Sequence, residues 1–296
     1  MIVLKLVYND DLDFIREIQD LRTILKKKDV TIGVVESVEL NTHIVKVLCD
    51  DDDYNEKIKN IINLYISNIL YKIVIEKYKD KEMFDFLIDN YFFLKQEEVL
   101  EVEDQIMKVL LCEEAVNDEN LVYCMNKMNS VIEKIKECLE ENFEINIDGF
   151  ITFRMKELRG DIENIIDKVI ENYMVEKEYK EFVKLLKYFV EIQESKLEEV
   201  DIFIKDGGGY LITDHLGNNI FQEFLKELAE CKIDNDAKME DVIISGLITN
   251  APKKIIIHGK ENCINNEFLD TIVNVFTDRV KYCEGCNLCS IEKIKF

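Results

Sequence analysis

Apolar residues at every third or fourth position, beginning after Ile147, constrain this chain more than any other sequence feature. Such spacing marks one face of an amphipathic helix. It predicts a long helix with these residues on its buried face: Ile151, Met155, Leu158, Ile162, Ile165, Ile166, Val169, Ile170, Tyr173 and Met174. The same spacing predicts a second helix whose core-facing residues are Phe182, Leu185, Leu186 and Phe189.

The scarcity of proline and glycine extends this expectation to most of the chain. Of 296 residues, one is proline and ten are glycine, which is too few for the many tight turns of a sandwich or barrel. Hydrophobic residues make up 47% of the sequence, enough to form a packed core. We therefore predict an α+β protein that is predominantly helical.

Strand patterns near the N-terminus predict a small β-α-β-β unit. Residues 2–8 alternate as a strand, and the stretch 10–25 has the spacing of a helix. Two runs rich in β-branched residues, 30–38 and 42–49, are separated by a short polar turn and predict a hairpin. A helical middle follows, over 54–144.

Strand patterns return towards the C-terminus and predict two further units. Residues 200–205 and 210–213 flank a glycine-rich turn and predict a β-hairpin. The apolar run within 253–258, the amphipathic stretch 267–277 and the short strand 279–282 predict a strand-helix-strand unit. Its two strands are expected to be parallel and joined by a right-handed crossover.

Acidic side chains outnumber basic ones throughout, and the formal net charge is −23. We divide the chain into an N-terminal acidic domain, residues 1–145, and a C-terminal domain, residues 146–296, that ends in a cysteine-rich tail. The first carries 32 acidic against 18 basic residues, and the second 29 against 20. Both domains would repel a phosphate backbone, so we expect no nucleic-acid binding.

The sequence predicts a cytoplasmic protein that does not insert into a membrane. Residues 1–11 become acidic too early for a signal peptide. The apolar stretch 58–75 is interrupted by lysine and asparagine side chains and therefore predicts a core helix. Nine cysteines in such a chain indicate thiols kept in a reducing compartment.

Four segments of this sequence resemble the YtxC-like family. They are NIDGFITFR (146–154), VEKEYKEFVKLLKYFVEIQE (175–194), GLITNAPKKIIIH (246–258) and RVKYCEGCNLC (279–289). The resemblance is strongest over about 146–289. The family is described as sporulation proteins of endospore-forming bacteria, so the resemblance implies a role in or around sporulation and a cytoplasmic location. It supplies no reaction, cofactor or catalytic residue.

Signatures of the common enzyme classes are missing from the sequence. No GxSxG, HExxH, Walker or Rossmann motif occurs, and the chain has three histidines and no tryptophan. We therefore expect a non-enzymatic protein that acts through contacts with protein partners. A metal-binding protein is the first alternative, and an enzyme of unrecognised type is the second.

The metal-binding alternative depends on a cysteine cluster at the end of the chain. Cys283 follows the last predicted strand, and Cys286 and Cys289 come three and six residues later. His258 ends the preceding parallel strand, and Cys263 lies in the loop just beyond it. Because the carboxyl ends of parallel strands share one edge of a sheet, these side chains are expected to meet there.

Zinc is the metal that this set of residues favours. Three cysteines are one ligand short of a closed tetrahedral zinc site, and His258 or Cys263 is placed to supply the fourth. An iron–sulfur cluster of the bacterial ferredoxin pattern would need a fourth cysteine where Lys293 stands. A C-terminal tail whose thiols bind no metal is the alternative.

Overall fold

The computed structural model describes residues 1–9, 14–113, 118–230 and 238–286. The chain forms two compact units, Met1–Val175 and Glu176–Phe296. The boundary between them falls inside the long helix that begins at Ile147. The domain boundary at residue 145, which was inferred from the sequence, stays a prediction.

The first compact unit begins with the predicted β-α-β-β motif, and one further strand completes its sheet. These elements are β1 (Ile2–Asn9), α1 (Ile15–Lys26), β2 (Ile32–Glu39), β3 (Thr42–Cys49) and β4 (Glu144–Asn146). The strand order is β2-β3-β1-β4, and β2 and β3 form the predicted antiparallel hairpin. β4 pairs with β1 in parallel and was not predicted, because three residues are too few to show an alternating pattern. The predicted start of α1, over residues 10–13, lies outside the described residues.

Helices follow the sheet strands and confirm the predicted helical middle. They are α2 (Glu56–Tyr78), a π-helical turn (Lys79–Met83), α3 (Phe84–Asn90), α4 (Gln96–Leu110), α5 (Asp118–Glu141) and α6 (Ile147–Ile192). One hydrophobic cluster joins the buried face of the sheet, with Leu6 and Val45, to helix residues such as Ile62 and Ile166. Burial of this apolar surface is the main favourable contribution to folding of the unit.

The central stretch forms one helix where the sequence predicted two. α6 is continuous over 46 residues. The segment between its two apolar stripes, VEKEYKE at 175–181, consists mostly of lysine and glutamate. These residues have high helix propensity, so they continue the helix and do not end it.

The apolar face of α6 is buried in its first part but largely exposed in its second. Ile166 has 0% exposure, as predicted. Phe182, Leu185 and Phe189 are 55%, 51% and 41% exposed, so their assignment to the core was wrong. Leu186 is half-buried and packs against the hydrophobic cluster of the second unit. Helical periodicity identifies an apolar face but does not identify what, if anything, covers it.

In the second compact unit, the predicted hairpin and the predicted strand-helix-strand motif share a single sheet. The elements of this unit are β5 (Glu199–Ile204), β6 (Tyr210–Asp214), α7 (Phe221–Glu230), α8 (Met239–Asn250), β7 (Lys254–His258), α9 (Asn266–Phe276) and β8 (Val280–Tyr282). β5 and β6 form the predicted hairpin, and β7 and β8 are parallel as predicted. β5 also pairs with β7 in parallel, which gives the strand order β6-β5-β7-β8.

The most apolar helix of the first unit is a core helix. The helical segment Glu56–Asn90 is long and apolar enough to cross a membrane by length and composition, but 61% of its most apolar window is buried inside the protein. A lipid-facing helix would leave that surface open to the bilayer. The burial therefore favours packing within the unit, as the interrupted sequence pattern predicted.

A charged cluster joins α5 to α6. Asp161 on α6 accepts hydrogen bonds from Lys127 Nζ at 3.0 Å, Ser130 Oγ at 2.9 Å and Lys134 Nζ at 2.7 Å, all on α5. Burial of Asp161 opposes its ionisation, but hydrogen bonds from Lys134, Lys127 and Ser130 outweigh that effect and lower its pKa to about 2. The ionised carboxylate therefore stabilises the contact between these two helices.

We expect Asp161→Asn to destabilise the first unit by about 1–3 kcal/mol at pH 7, because it weakens hydrogen bonds to a charged acceptor. The pKa of Asp161 is lower in the folded protein than its ordinary value of 3.8. Its contribution is therefore complete above about pH 4 and is lost as the pH falls towards about 2. The free energies of unfolding of parent and variant should therefore differ less at pH 3 than at pH 7, which denaturant unfolding at the two pH values measures.

The matched control is Glu157→Gln, because Glu157 on the same helix pairs with Arg154 at the surface. Exposed pairs contribute little, so this variant should change stability by less than about 1 kcal/mol. An Asp161→Asn effect that stays the same at both pH values would contradict the role assigned to the carboxylate.

Candidate metal centre

Parallel pairing places His258 and Cys283 at the same edge of the second sheet. His258 is the last residue of β7, and Cys283 directly follows Tyr282, the last residue of β8. The backbone N–H of Cys283 donates to the carbonyl of Ile257 at 2.9 Å. This bond holds the backbone at Cys283 against the end of β7, so the imidazole and the first thiol are neighbours.

A glycine turn then brings Cys286 back to the same place. Gly285 has a φ of 117°, a left-handed conformation that favours glycine. Its N–H lies 3.4 Å from the Cys283 sulfur and donates to it. Cys286 Sγ lies 3.6 Å from His258 Nδ1, and the ligand atoms of His258, Cys283 and Cys286 all lie within 4.8 Å of one another.

The His258 ring is held by two residues of β5. Its Nε2 lies 2.9 Å from Asp201 Oδ1, and the Phe203 ring stacks on it with centroids 4.2 Å apart. A carboxylate only accepts, so Nε2 carries the donated proton. This leaves the Nδ1 lone pair on the side of the Cys286 thiol.

The electrostatic surroundings of His258 favour a positive charge at this edge. Burial alone would lower its pKa. The hydrogen bond to Asp201 and the charges of the Cys283, Asp201 and Cys286 side chains outweigh burial and raise the pKa of His258. Anionic donors around the imidazole are also what a divalent cation requires.

The structure brings three of the five predicted ligand residues together. Cys263 is directed elsewhere: its thiol donates to the Asn265 carbonyl at 3.1 Å and lies 3.9 Å from the Tyr210 hydroxyl. It is not part of the group that the structure forms with His258 among the described residues. Cys289 lies outside the described residues.

Sequence reasoning missed Asp201, although a signal for it was present. This residue interrupts the apolar run of β5, and its side chain is only 13% exposed. A carboxylate inside such a strand needs a polar partner, because burial without one is costly. The partner lies 57 residues further along the chain, a distance that no local pattern spans.

Two kinds of chemistry use these side chains. An imidazole nitrogen with two thiolates is a donor set that zinc binds, and a carboxylate behind the histidine is the usual support for such a ligand. The line Asp201, His258, Cys286 also has the order of orienting acid, base and nucleophile in cysteine enzymes. Cys283 adds a third donor that metal binding uses and nucleophilic attack does not.

The fold and this edge define a predominantly helical α+β protein with a histidine–cysteine cluster on its C-terminal sheet. The chain belongs to the YtxC-like family, which matches residues 64–281. The match begins in α2, further towards the N-terminus than the sequence resemblance indicated. A relative from Bacillus subtilis (strain 168), named uncharacterized protein YtxC, is 23% identical over 227 residues, which cover 74% of this chain and 76% of the relative. No solved structure matches the chain.

Proposed function

We propose that this chain is a zinc-binding protein whose ligands are His258 Nδ1 and the thiolates of Cys283 and Cys286. Cys289, which lies outside the described residues, is proposed as the fourth ligand from its spacing in the sequence alone. The observation that carries the proposal is the convergence of the first three ligand atoms within 4.8 Å. Tetrahedral zinc with bonds of about 2.0 Å to nitrogen and about 2.3 Å to sulfur places such donors about 3.5 Å apart. The Cys286 Sγ to His258 Nδ1 distance of 3.6 Å agrees with this value.

The zinc site we propose is structural. Four protein ligands close the coordination shell and leave no open position for a substrate. β8 has only three residues, and its pairing with β7 supplies few hydrogen bonds. A metal that joins His258 at the end of β7 to Cys283 at the end of β8 would stabilise this sheet edge.

The broader role that we propose is supported by the sequence resemblance and by the composition. We propose a cytoplasmic, non-enzymatic protein that acts through contacts with protein partners in or around sporulation. Thiolate ligands suit a reducing compartment, which supports the cytoplasmic location. The exposed apolar residues of α6 support a protein that presents contact surfaces.

Zinc content tests the proposal directly. We expect about one zinc ion per chain in protein purified anaerobically without a metal-binding affinity tag. The variant Cys283→Ser/Cys286→Ser should lose it and melt at a lower temperature, because it removes two ligands. Inductively coupled plasma mass spectrometry and thermal melts measure both effects.

The matched control is Cys112→Ser/Cys138→Ser, which removes two thiols from the first unit. It should retain zinc, and so should Cys263→Ser. A zinc-free parent, or full zinc content in Cys283→Ser/Cys286→Ser, overturns the proposal. A zinc-free parent in which Cys286 reacts with iodoacetamide faster than Cys112 would favour the alternative, an enzyme with a cysteine nucleophile based on the Asp201–His258–Cys286 line.

A further inference from the structure

The loop after α3 exposes aromatic side chains that the core does not use. Phe92 is 82% exposed and Phe93 is 52% exposed. Ring contacts connect them to the interior: Phe92 to Phe93 at 6.0 Å, Phe93 to Tyr91 at 6.0 Å, and Tyr91 to Phe86 at 6.2 Å. We call these four residues the aromatic ridge. Adjacent exposed aromatic rings are uncommon on a protein surface and are typical of contact sites.

A cleft of about 460 Å³ lies beside the aromatic ridge and shares two of its residues. Phe86 and Tyr91 line one side, and Glu163 and Asp167 on α6 line the other. Gly160 also faces the cleft, and a Cβ atom added there would meet no atom within 4 Å. The cleft therefore combines aromatic faces with carboxylates and has room for a long side chain.

The charges around the cleft leave an excess of negative charge. Arg159 lies 2.5 Å from Glu82 and 4.0 Å from Glu163, and Asp167 accepts a hydrogen bond from the Tyr91 hydroxyl at 2.5 Å. Arg159 thus pairs with two carboxylates, whereas Asp167 is paired with an uncharged hydroxyl. Burial raises the pKa of Glu163, and although Arg159 opposes this shift, Asp167 and Glu82 add to it. A cation in the cleft would relieve this repulsion.

We propose that the aromatic ridge and its cleft form a docking site for a basic, amphipathic helical segment of a partner protein. A lysine or arginine of the partner enters the cleft, between the rings of Phe86 and Tyr91 and the carboxylates of Glu163 and Asp167. Apolar residues on the same face of the partner helix cover Phe92 and Phe93. Charge complementarity selects this partner, since the chain carries a net charge of −23.

This inference rests on the proposed role through protein contacts and is independent of zinc. All residues of the docking site belong to the first compact unit, whereas the zinc ligands belong to the second. Zinc content should therefore be the same in the parent and in every docking-site variant. Failure of one proposal leaves the measurement of the other unchanged.

Peptide binding tests the docking site. The probe is a fluorescein-labelled peptide of about 18 residues, five helical turns, with leucine on one face and lysine on the other. The comparison peptide has the same composition in an order that abolishes the two faces. Fluorescence anisotropy at physiological salt should show the patterned peptide binding at least about tenfold more tightly.

Two variants locate the binding site by different changes, so a loss of folding in one would not explain weaker binding in the other. Phe92→Ser/Phe93→Ser removes the exposed rings, and Gly160→Met fills the cleft with a residue that favours the helix. Each should weaken binding of the patterned peptide by about tenfold or more. Leu40→Ser, which changes a fully exposed apolar residue of the same unit, should leave binding unchanged.

Equal affinity for the two peptides, or parental affinity in Gly160→Met, would overturn the proposal. The parent could instead bind phosphatidylserine vesicles. If Phe92→Ser/Phe93→Ser and Gly160→Met both abolished that binding, the surface would be a membrane site and the proposal would be overturned. Self-association of the parent that Phe92→Ser/Phe93→Ser abolishes would assign the surface to a second copy of this chain, which also contradicts a basic partner.

Discussion

Replacing Ile166 with Asp is expected to unfold the first compact unit. Ile166 has 0% exposure and lies in the hydrophobic cluster that joins the sheet to the helices. The substitution deletes apolar contacts and places a carboxylate where water does not reach. An uncompensated buried charge costs about 3–5 kcal/mol. Together with the lost apolar contacts, the total reaches the lower end of ordinary domain stabilities, which are about 5–15 kcal/mol.

The control for this substitution is Phe182→Asp, on the same helix. Phe182 is 55% exposed, so its carboxylate would remain in water and the expected change is within about 0.5 kcal/mol. Circular dichroism during thermal unfolding follows the helices of both variants. Equal melting temperatures for Ile166→Asp and the parent would show that this face of α6 is not a core face.

Elements with a strong local pattern could be predicted from the sequence. The hairpin of β2 and β3 is marked by two runs of β-branched residues around a short polar turn. The parallel pair β7 and β8 is marked by an apolar run, an amphipathic helix and a second short strand. In each case the residues that form the element lie next to one another in the sequence, so periodicity is sufficient.

Features that depend on distant residues could not be predicted. β4 is a strand because β1 lies beside it, not because residues 144–146 have a strand pattern. The sequence around Phe182 has the same helical spacing as that around Ile166, yet one is exposed and the other is buried. Spacing reports the shape of an element, whereas burial depends on its neighbours.

In the candidate metal centre too, some residues could be placed from the sequence and others could not. His258 and Cys283 could be placed together because both follow the ends of strands predicted to be parallel. Cys263 was placed with them by its position in a nearby loop, but a loop leaves the direction of a side chain open, and this thiol donates to Asn265. Asp201 belongs to the other neighbour of β7, and the pairing of β5 with β7 was not predicted.

Replacing Gly246 with Ala is expected to destabilise the second unit. Gly246 lies in α8, and a methyl group added there would overlap the ring of Phe224 from α7. Phe224 is 2% exposed and lies in the hydrophobic cluster of this unit, so a shift of its ring disturbs packed neighbours. Overpacking of this kind costs about 1–3 kcal/mol even though alanine favours a helix over glycine. The close approach of α7 to α8 is thus a consequence of the missing side chain.

Two comparisons separate this overlap from the general effect of a glycine in a helix. Gly160→Ala in α6 adds a methyl group with no atom within 4 Å, so it should stabilise the first unit by about 0.5–1 kcal/mol. Phe224→Leu should recover part of the loss in Gly246→Ala, because the smaller side chain gives the methyl group room. Denaturant unfolding of the two single variants and the double variant measures this coupling. Additive effects at Gly246 and Phe224 would show that the two helices do not depend on this contact.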